Sequence, residues 1–370
     1  KGKIFFTEEL TFSSSRLINR STDFYSPKQK KIIKKISKSV SFNNIKSNLE
    51  KLRDLKILVI GEAIIDQYNF CEALGKSGKE PILVLKENKK DQYMGGVLSI
   101  AKNLSGFSKK ITILSMIGAN KEHLNDIKSD LPKNITTKFI YKKNSPTIVK
   151  RRYVDYLTKG KIFGIYRIND EILNKKDELK FNSLLNHEIK KSDLVVVSDY
   201  GHGLISKKSA KIICKKSKFL ALNAQVNASN IGYHTIRNYN NFDTLIINEK
   251  EIRHEMRDKV SKVENLMSFI AKEKNINNLI VTMGDKGSIL FNKNKNKFFY
   301  SEAYANKVVD KVGAGDAMLA FIGPCLKLNI DLDLSLLISS LAAAQSVENI
   351  GNKVSTNKIK LLKTLENILK

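Results

Sequence analysis

The chain has 370 residues, 42% of them apolar, enough to bury a sizeable core, and no apolar run approaches the roughly 18 to 20 residues needed to cross a bilayer. Its formal net charge of +28 comes mostly from lysine spread along the chain, which argues for attraction to anionic substrates and against a specific nucleic-acid or membrane partner. Three cysteines, Cys71, Cys214 and Cys325, have no metal-ligand or redox spacing and cannot pair off as an odd set, which points to a reduced, cytoplasmic protein.

Residues 1–50 have a texture of their own: a short β-like run at 3–6, a Ser cluster at 13–15 and a Lys-rich stretch at 28–38. The opening residues carry neither an initiator Met nor the parts of a signal peptide, and they read as a piece of something longer. Polarity and charge make 21–53 a linker, although Ile32, Ile33, Ile36 and Val40 also have the spacing of one amphipathic helix.

From Lys56 onward, short β-rich runs alternate with helical patterns. Strands are expected at 57–60, 111–117, 194–197, 219–222, 244–247 and 279–282, and helices at 97–104, 206–215, 263–274 and 316–328. This alternation predicts an α/β fold, a mostly parallel sheet with helices on both faces. Residues 145–168 break the rhythm. There two β-like runs, 147–156 and 161–167, flank Lys159 and Gly160 and predict a hairpin that forms a small β lid.

Chemistry concentrates in Gly313, Ala314, Gly315 and Asp316, where a β-rich run through Val308 and Val309 gives way to a helical pattern. Two glycines let main-chain N–H groups converge, and a helix N-terminus adds its dipole, so the turn suits an anion such as phosphate. Asp316 follows at once, placed to take a proton from a hydroxyl that attacks the bound phosphate. The same residues also suit a tight turn with an Asp N-cap and no chemistry.

The motif has company in a fixed order: Gly61, Glu62 and Asp66, then Gly95 and Gly96, then Asn248 and Glu251, then Thr282, Gly284 and Gly287, then 310–316. In that order, residues 54–370 resemble the ribokinase or PfkB carbohydrate kinases. The resemblance implies a ribokinase-like fold, a sugar or sugar phosphate as substrate, and ATP and Mg²⁺ as cofactors. It casts Asp316 as the catalytic base and Gly313, Ala314 and Gly315 as the anion hole. Asp66, Gly95 and Gly96 fall on the sugar side. Asn248 and Glu251 arrange Mg²⁺ and phosphates, Glu251 acting on the metal indirectly, and Thr282, Gly284 and Gly287 border the nucleotide. A monovalent cation, K⁺, near Asp310 and the 349–353 loop is implied in the same way, and a homodimer formed through the lid stays open.

Within the family, 198–203, 146–150, and Ala342, Ala343 and Ala344 with Gly351 resemble the kinase part of bacterial enzymes that join a heptose-phosphate kinase to an ADP-heptose synthase. Residues 1–20 resemble the end of a nucleotidyltransferase domain, which suggests that a transferase lies upstream. Two residues depart from the family's pattern. Ser99 stands where many relatives carry Asn, so that one expected sugar hydrogen bond is either missing or altered, and Lys311 occupies a place often held by a small or β-branched residue.

Lys150, Arg152 and Arg167, in the lid, either face solvent or clamp a phosphate already on the sugar. His202, between two glycines, is either a catalytic group or an ordinary histidine. Gly75, Lys76 and Ser77 do not end a Walker A loop, because Phe70 stands where that loop needs Gly. His123, His187, His234 and His254 lack metal-ligand spacing. The favoured reading is an ATP-dependent sugar or sugar-phosphate kinase, with a heptose phosphate for nucleotide-sugar or surface-polysaccharide synthesis among its acceptors. Its rival is a non-catalytic nucleotide- or sugar-binding scaffold or sensor within a larger protein.

Overall fold

The computed structural model describes residues 25–369, so the transferase-like segment 1–20 lies outside the described residues. Strands β1 (Lys56–Gly61), β4 (Lys110–Gly118), β5 (Ile135–Lys142), β8 (Leu194–Asp199), β9 (Leu220–Ala224), β10 (Phe242–Asn248) and β11 (Ile276–Thr282) run parallel. The antiparallel hairpin of β12 (Ser288–Asn292) and β13 (Lys297–Ser301) completes one edge, and the order is β13-β12-β11-β10-β9-β8-β1-β4-β5. Interior strands are apolar on both faces, as a sheet covered twice requires. Along β1, Ile57 and Val59 enter one core cluster while Leu58 and Ile60 enter the other, the two-residue period of a strand.

The first cluster is covered by α3 (Val97–Ser105), α9 (Ala314–Lys327), α10 (Leu332–Val347) and α11 (Lys358–Leu369), the second by α5 (Lys175–Lys191), α6 (Lys207–Lys216), α7 (Glu249–Met256) and α8 (Val263–Glu273). The short α4 (Leu124–Asp130) adds Ile127 to the first.

Residues 27–51, expected as linker or as one helix, form two: α1 (Pro27–Ser39) and α2 (Phe42–Lys51). Ser26 with Gln29 makes a capping box on α1, and Ser41 caps α2. Ile33, Ile36, Ile45 and Leu49 are buried in the first cluster, and this burial outweighs the local lysine content.

The lid is also larger than the expected hairpin. β6 (Ile148–Asp155) and β7 (Lys161–Arg167) are that hairpin, but β2 (Ala63–Lys76) and β3 (Leu83–Gly96) join it in a four-stranded sheet ordered β3-β2-β6-β7. Val308 and Val309 belong to no strand; the N–H groups of Val309 and Asp310 bond instead to the Val347 carbonyl at the end of α10. The following helix starts at Ala314, ahead of the expected 316.

Strand order reverses at β1, from which the chain runs to β4 and β5 on one side and later to β8 through β11 on the other. The C-terminal end of β1 is therefore a topological switch point, the crevice in which open α/β sheets bind ligands. Among the described residues no helix is long and apolar enough to cross a membrane.

Candidate active site

At the switch point, buried Glu62 accepts the main-chain N–H groups of Tyr200 (3.0 Å), His202 (3.2 Å) and Leu204 (3.4 Å). Burial, with the neighbouring Asp199 charge, pushes the Glu62 carboxyl up to about 7. The turn after β8 is thereby fixed to β1. It presents Tyr200, whose hydroxyl donates to Oδ1 of Asp316 at 2.7 Å.

Gly313 is the N-cap of α9 at φ 88° and ψ −10°, and among the described residues no side chain caps that helix. Asp316 is thus inside the first turn and is not the N-cap, so the N–H groups of that turn stay open to an anion. A Cβ on Gly313 would fall 2.1 Å from Oδ1 of Asn352, whereas one on Gly315 would meet nothing. The turn is closed on one side and open on the other. Burial pushes the Asp316 carboxyl up to about 7, aided by the Asp66 charge and opposed by the Tyr200 hydrogen bond and the Lys150 charge. A base poised near neutrality is matched to proton transfer at physiological pH.

Asp66, on β2, faces this turn. Arg152 donates to its Oδ1, and Nδ2 of Asn352 donates to its Oδ2 at 3.3 Å. A side chain at Gly95 would collide with the same carboxylate, its Cβ 2.2 Å from Oδ2. Lys150 sits beside Asp66 in the β2–β6 register and is buried, its ammonium 5.3 Å from the Tyr200 ring centroid and 5.6 Å from that of Tyr166. Burial pulls the Lys150 pKa down, against the pull of Asp66. Among the described residues Lys150 has no ion-pair partner, while the Arg152 charge is already met by Asp66.

Asp66, Gly96, Lys150, Arg152, Gly313, Gly315 and Asp316 line one cleft of about 300 Å³. Ala314 belongs to the same turn, and Gly95 backs Asp66. Lys311 lines the cleft too, joined by Tyr200 and Gln225, to which the sequence alone attaches no role. Tyr200 lies inside the 198–203 motif, but nothing local says which carboxylate its hydroxyl will meet. Ser99 is buried on α3 and is not among the lining residues. Arg167 pairs with Glu122 at 3.1 Å beside a separate pocket. His202 is fully buried, its Nδ1 2.6 Å from Asp170 and its Nε2 without a partner among the described residues, and burial lowers its pKa to about 4. It stays neutral and off the cleft.

Asn248, Glu251, Thr282, Gly284 and Gly287 do not line this cleft and lie at or just beyond the C-terminal ends of β10 and β11. Asn248 accepts the Glu251 N–H at 2.9 Å and Glu251 Oε2 accepts the Asn248 N–H at 2.8 Å, a capping box on α7. Glu251 Oε1 accepts the N–H of Val226 at 3.2 Å, next to cleft-lining Gln225, and burial pushes this carboxyl up to about 7. Gly284 and Gly287, at φ 63° and 85°, turn the chain from β11 into β12.

Mg²⁺ carried by a nucleotide keeps water and phosphate ligands and needs one or two carboxylates, so the absence of a three-residue ligand cluster among the described residues is compatible with it. Glu251, committed to main-chain donors, fits the indirect role. Asp310 differs: Tyr68, Val312, Gly351 and Lys161 all donate to it, so an alkali cation does not fit on that carboxylate.

The sequence profile described as pfkB family carbohydrate kinase matches residues 54–359. The chain belongs to the pfkB family of carbohydrate kinases. This pfkB-family chain is 28% identical over 315 residues to the bifunctional protein HldE of Campylobacter jejuni (strain RM1221), covering 84% of the chain and 65% of that relative. It is 25% identical over 304 residues to the bifunctional protein HldE of a Nitratiruptor species, covering 81% and 63%. It therefore spans just under two thirds of the length of these relatives. Among solved structures, phosphofructokinase-2 from Escherichia coli in complex with potassium superposes with a TM-score of 0.66 at 14% identity, over 84% of this chain and 99% of that one. Arabidopsis thaliana ribokinase complexed with ribose and ATP gives 0.62 at 18% identity, over 86% and 99%. These likenesses establish the ribokinase-like fold.

Proposed function

We propose that this pfkB-family chain transfers the γ-phosphoryl group of ATP to a hydroxyl of a sugar or sugar phosphate. The observation that carries the reading is one cleft holding Asp316, the first-turn amides of α9 and the buried Lys150 ammonium, which has no ion-pair partner among the described residues. Asp66, backed by Gly95 and beside cleft-lining Gly96, orients the acceptor. Asp316 takes the hydroxyl proton as the oxygen bonds to the γ-phosphorus and the bond to the ADP oxygen breaks. The amides of Ala314, Gly315 and Asp316 meet charge on the phosphoryl oxygens. Bound Mg²⁺ supplies charge neutralisation on the ATP phosphates. Asn248 and Glu251 hold the end of β10, and Thr282, Gly284 and Gly287 border the nucleotide.

The favoured acceptor is a sugar phosphate, and the resemblance at 146–150 and 198–203 points to a heptose phosphate. Lys150 supports this because no carboxylate among the described residues pairs with its charge. Phosphorus NMR of the protein with ATP, Mg²⁺ and a panel of sugars and sugar phosphates tests the proposal. A new phosphate-ester resonance with one acceptor is expected; its absence with every acceptor overturns the reading.

The reading extends to a homodimer. Ile162, Phe163, Ile165 and Tyr166 are exposed on β7, an edge strand of the lid, and a second copy would cover them. Light scattering on the purified chain should give twice the chain mass; a monomer at micromolar concentration contradicts it.

A further inference from the structure

Asp310 lies in the loop that feeds the anion-binding turn, and it is buried. A carboxylate offers about four lone-pair sites, and each finds a donor here. Oδ2 accepts the Tyr68 hydroxyl at 2.6 Å and the Gly351 N–H at 3.1 Å. Oδ1 accepts the Val312 N–H at 3.1 Å and the Lys161 ammonium at 2.6 Å. Three of these donors are neutral. The fourth carries a full positive charge and comes from β7, the outer strand of the lid.

The Lys161 side chain keeps 44% of its exposure while that of Asp310 keeps 5%, so a surface cation has been drawn onto a buried anion. Tyr68 braces the contact, its ring centroid 5.4 Å from the Arg152 guanidinium carbon and 6.0 Å from Lys161 Nζ. An alkali ion arriving at Asp310 would find no free carboxylate oxygen and would face a like charge.

We propose that Lys161 is a built-in monovalent cation, whose ammonium takes on Asp310 the place an alkali ion would hold and orders the anion-binding turn without K⁺. Ammonium and K⁺ carry the same charge and both accept oxygen partners, but the ammonium is tethered and needs no capture from solution. Its influence reaches the site through Asp310 and Val312, so Lys161 is a positioning residue. Because the tether is the lid, the same ion pair links lid and turn. Only the turnover arm of the test below rests on the kinase reading.

The test measures the melting temperature of the purified chain in KCl and in N-methylglucamine chloride at equal ionic strength, without any acceptor. The wild-type chain is expected to melt at the same temperature in both. Lys161→Met, which keeps the apolar stem and vacates one lone-pair site on Asp310 Oδ1, should melt about 2 °C or more higher in KCl, and Lys161→Arg should behave like wild type. In the turnover arm, ADP formation by Lys161→Met should fall at least tenfold in K⁺-free buffer and recover on adding K⁺. A K⁺-specific rise in wild-type melting temperature, or a Lys161→Met protein whose melting ignores K⁺, overturns the proposal. Should Lys161→Met not fold, the wild-type comparison decides alone. A chain that transfers no phosphoryl group still reports in the melting arm, so failure of the kinase reading is seen separately.

Discussion

The Tyr200 hydroxyl donates to Oδ1 of Asp316 at 2.7 Å, joining the turn after β8 to the first turn of α9. The bond favours the ionised base, so its loss raises the Asp316 pKa further. Hydrogen bonds to charged groups contribute about 1.5 to 3 kcal/mol, and one pKa unit corresponds to about 1.4 kcal/mol. Tyr200→Phe should therefore move the acid limb of the rate profile up by about one unit. A pH profile of kcat checks this, and an unmoved limb contradicts the assignment.

Asp316 also predicts a pH-dependent stability. Its carboxyl is raised from an ordinary 3.8 to about 7, so between those values the folded chain holds a proton that the unfolded chain has released. That contribution is fully present below the unfolded value and is lost as pH rises through the folded one. Asn cannot titrate. The melting temperature of Asp316→Asn relative to wild type should therefore climb from about pH 4 to about pH 7 and stay level above, read by thermal melts across that range. A constant difference contradicts a raised Asp316.

Much of this was legible in the sequence because the informative residues are short-range and chemically typed. Gly313 to Asp316 announce an anion turn, and the β-rich runs at 57–60 and 194–197 are central strands. What escaped depends on tertiary placement. Helix α10 is apolar nearly all round because it is buried on most sides, so it shows no stripe at helical spacing. Strand β2 carries polar residues such as Asp66 and Gln67 whose partners on β3 and β6 arrive only once the lid assembles. Lys161 looked like any surface lysine, and only the fold shows it on Asp310.

Gly313 combines a positive φ with a neighbour 2.1 Å from where a Cβ would stand. Gly313→Ala should cost about 1 to 3 kcal/mol of stability and most of the turnover. Adding Asn352→Ala removes the collision but not the strained dihedral, so melting temperature should recover only in part. Full stability in the single variant contradicts the geometry.

Lys150 is a buried ammonium with no ion-pair partner among the described residues, a state that costs stability and is useful only toward an anion. Lys150→Met should leave the melting temperature unchanged or higher while raising KM for a phosphorylated acceptor about 10- to 100-fold, the worth of a charge-assisted hydrogen bond. Steady-state kinetics with a sugar phosphate and its unphosphorylated sugar compares the two directly. Equal effects on both would place Lys150 on the transferred group instead.

The most direct test of the central claim is ADP release from ATP and Mg²⁺ against sugars and sugar phosphates, with Asp316→Asn as the control. Turnover with one acceptor, reduced about 10² to 10⁴-fold in a variant that still folds and binds ATP, is the expected result. Undiminished turnover in Asp316→Asn contradicts the assigned base, and no turnover with any acceptor despite ATP binding favours a nucleotide-binding scaffold or sensor.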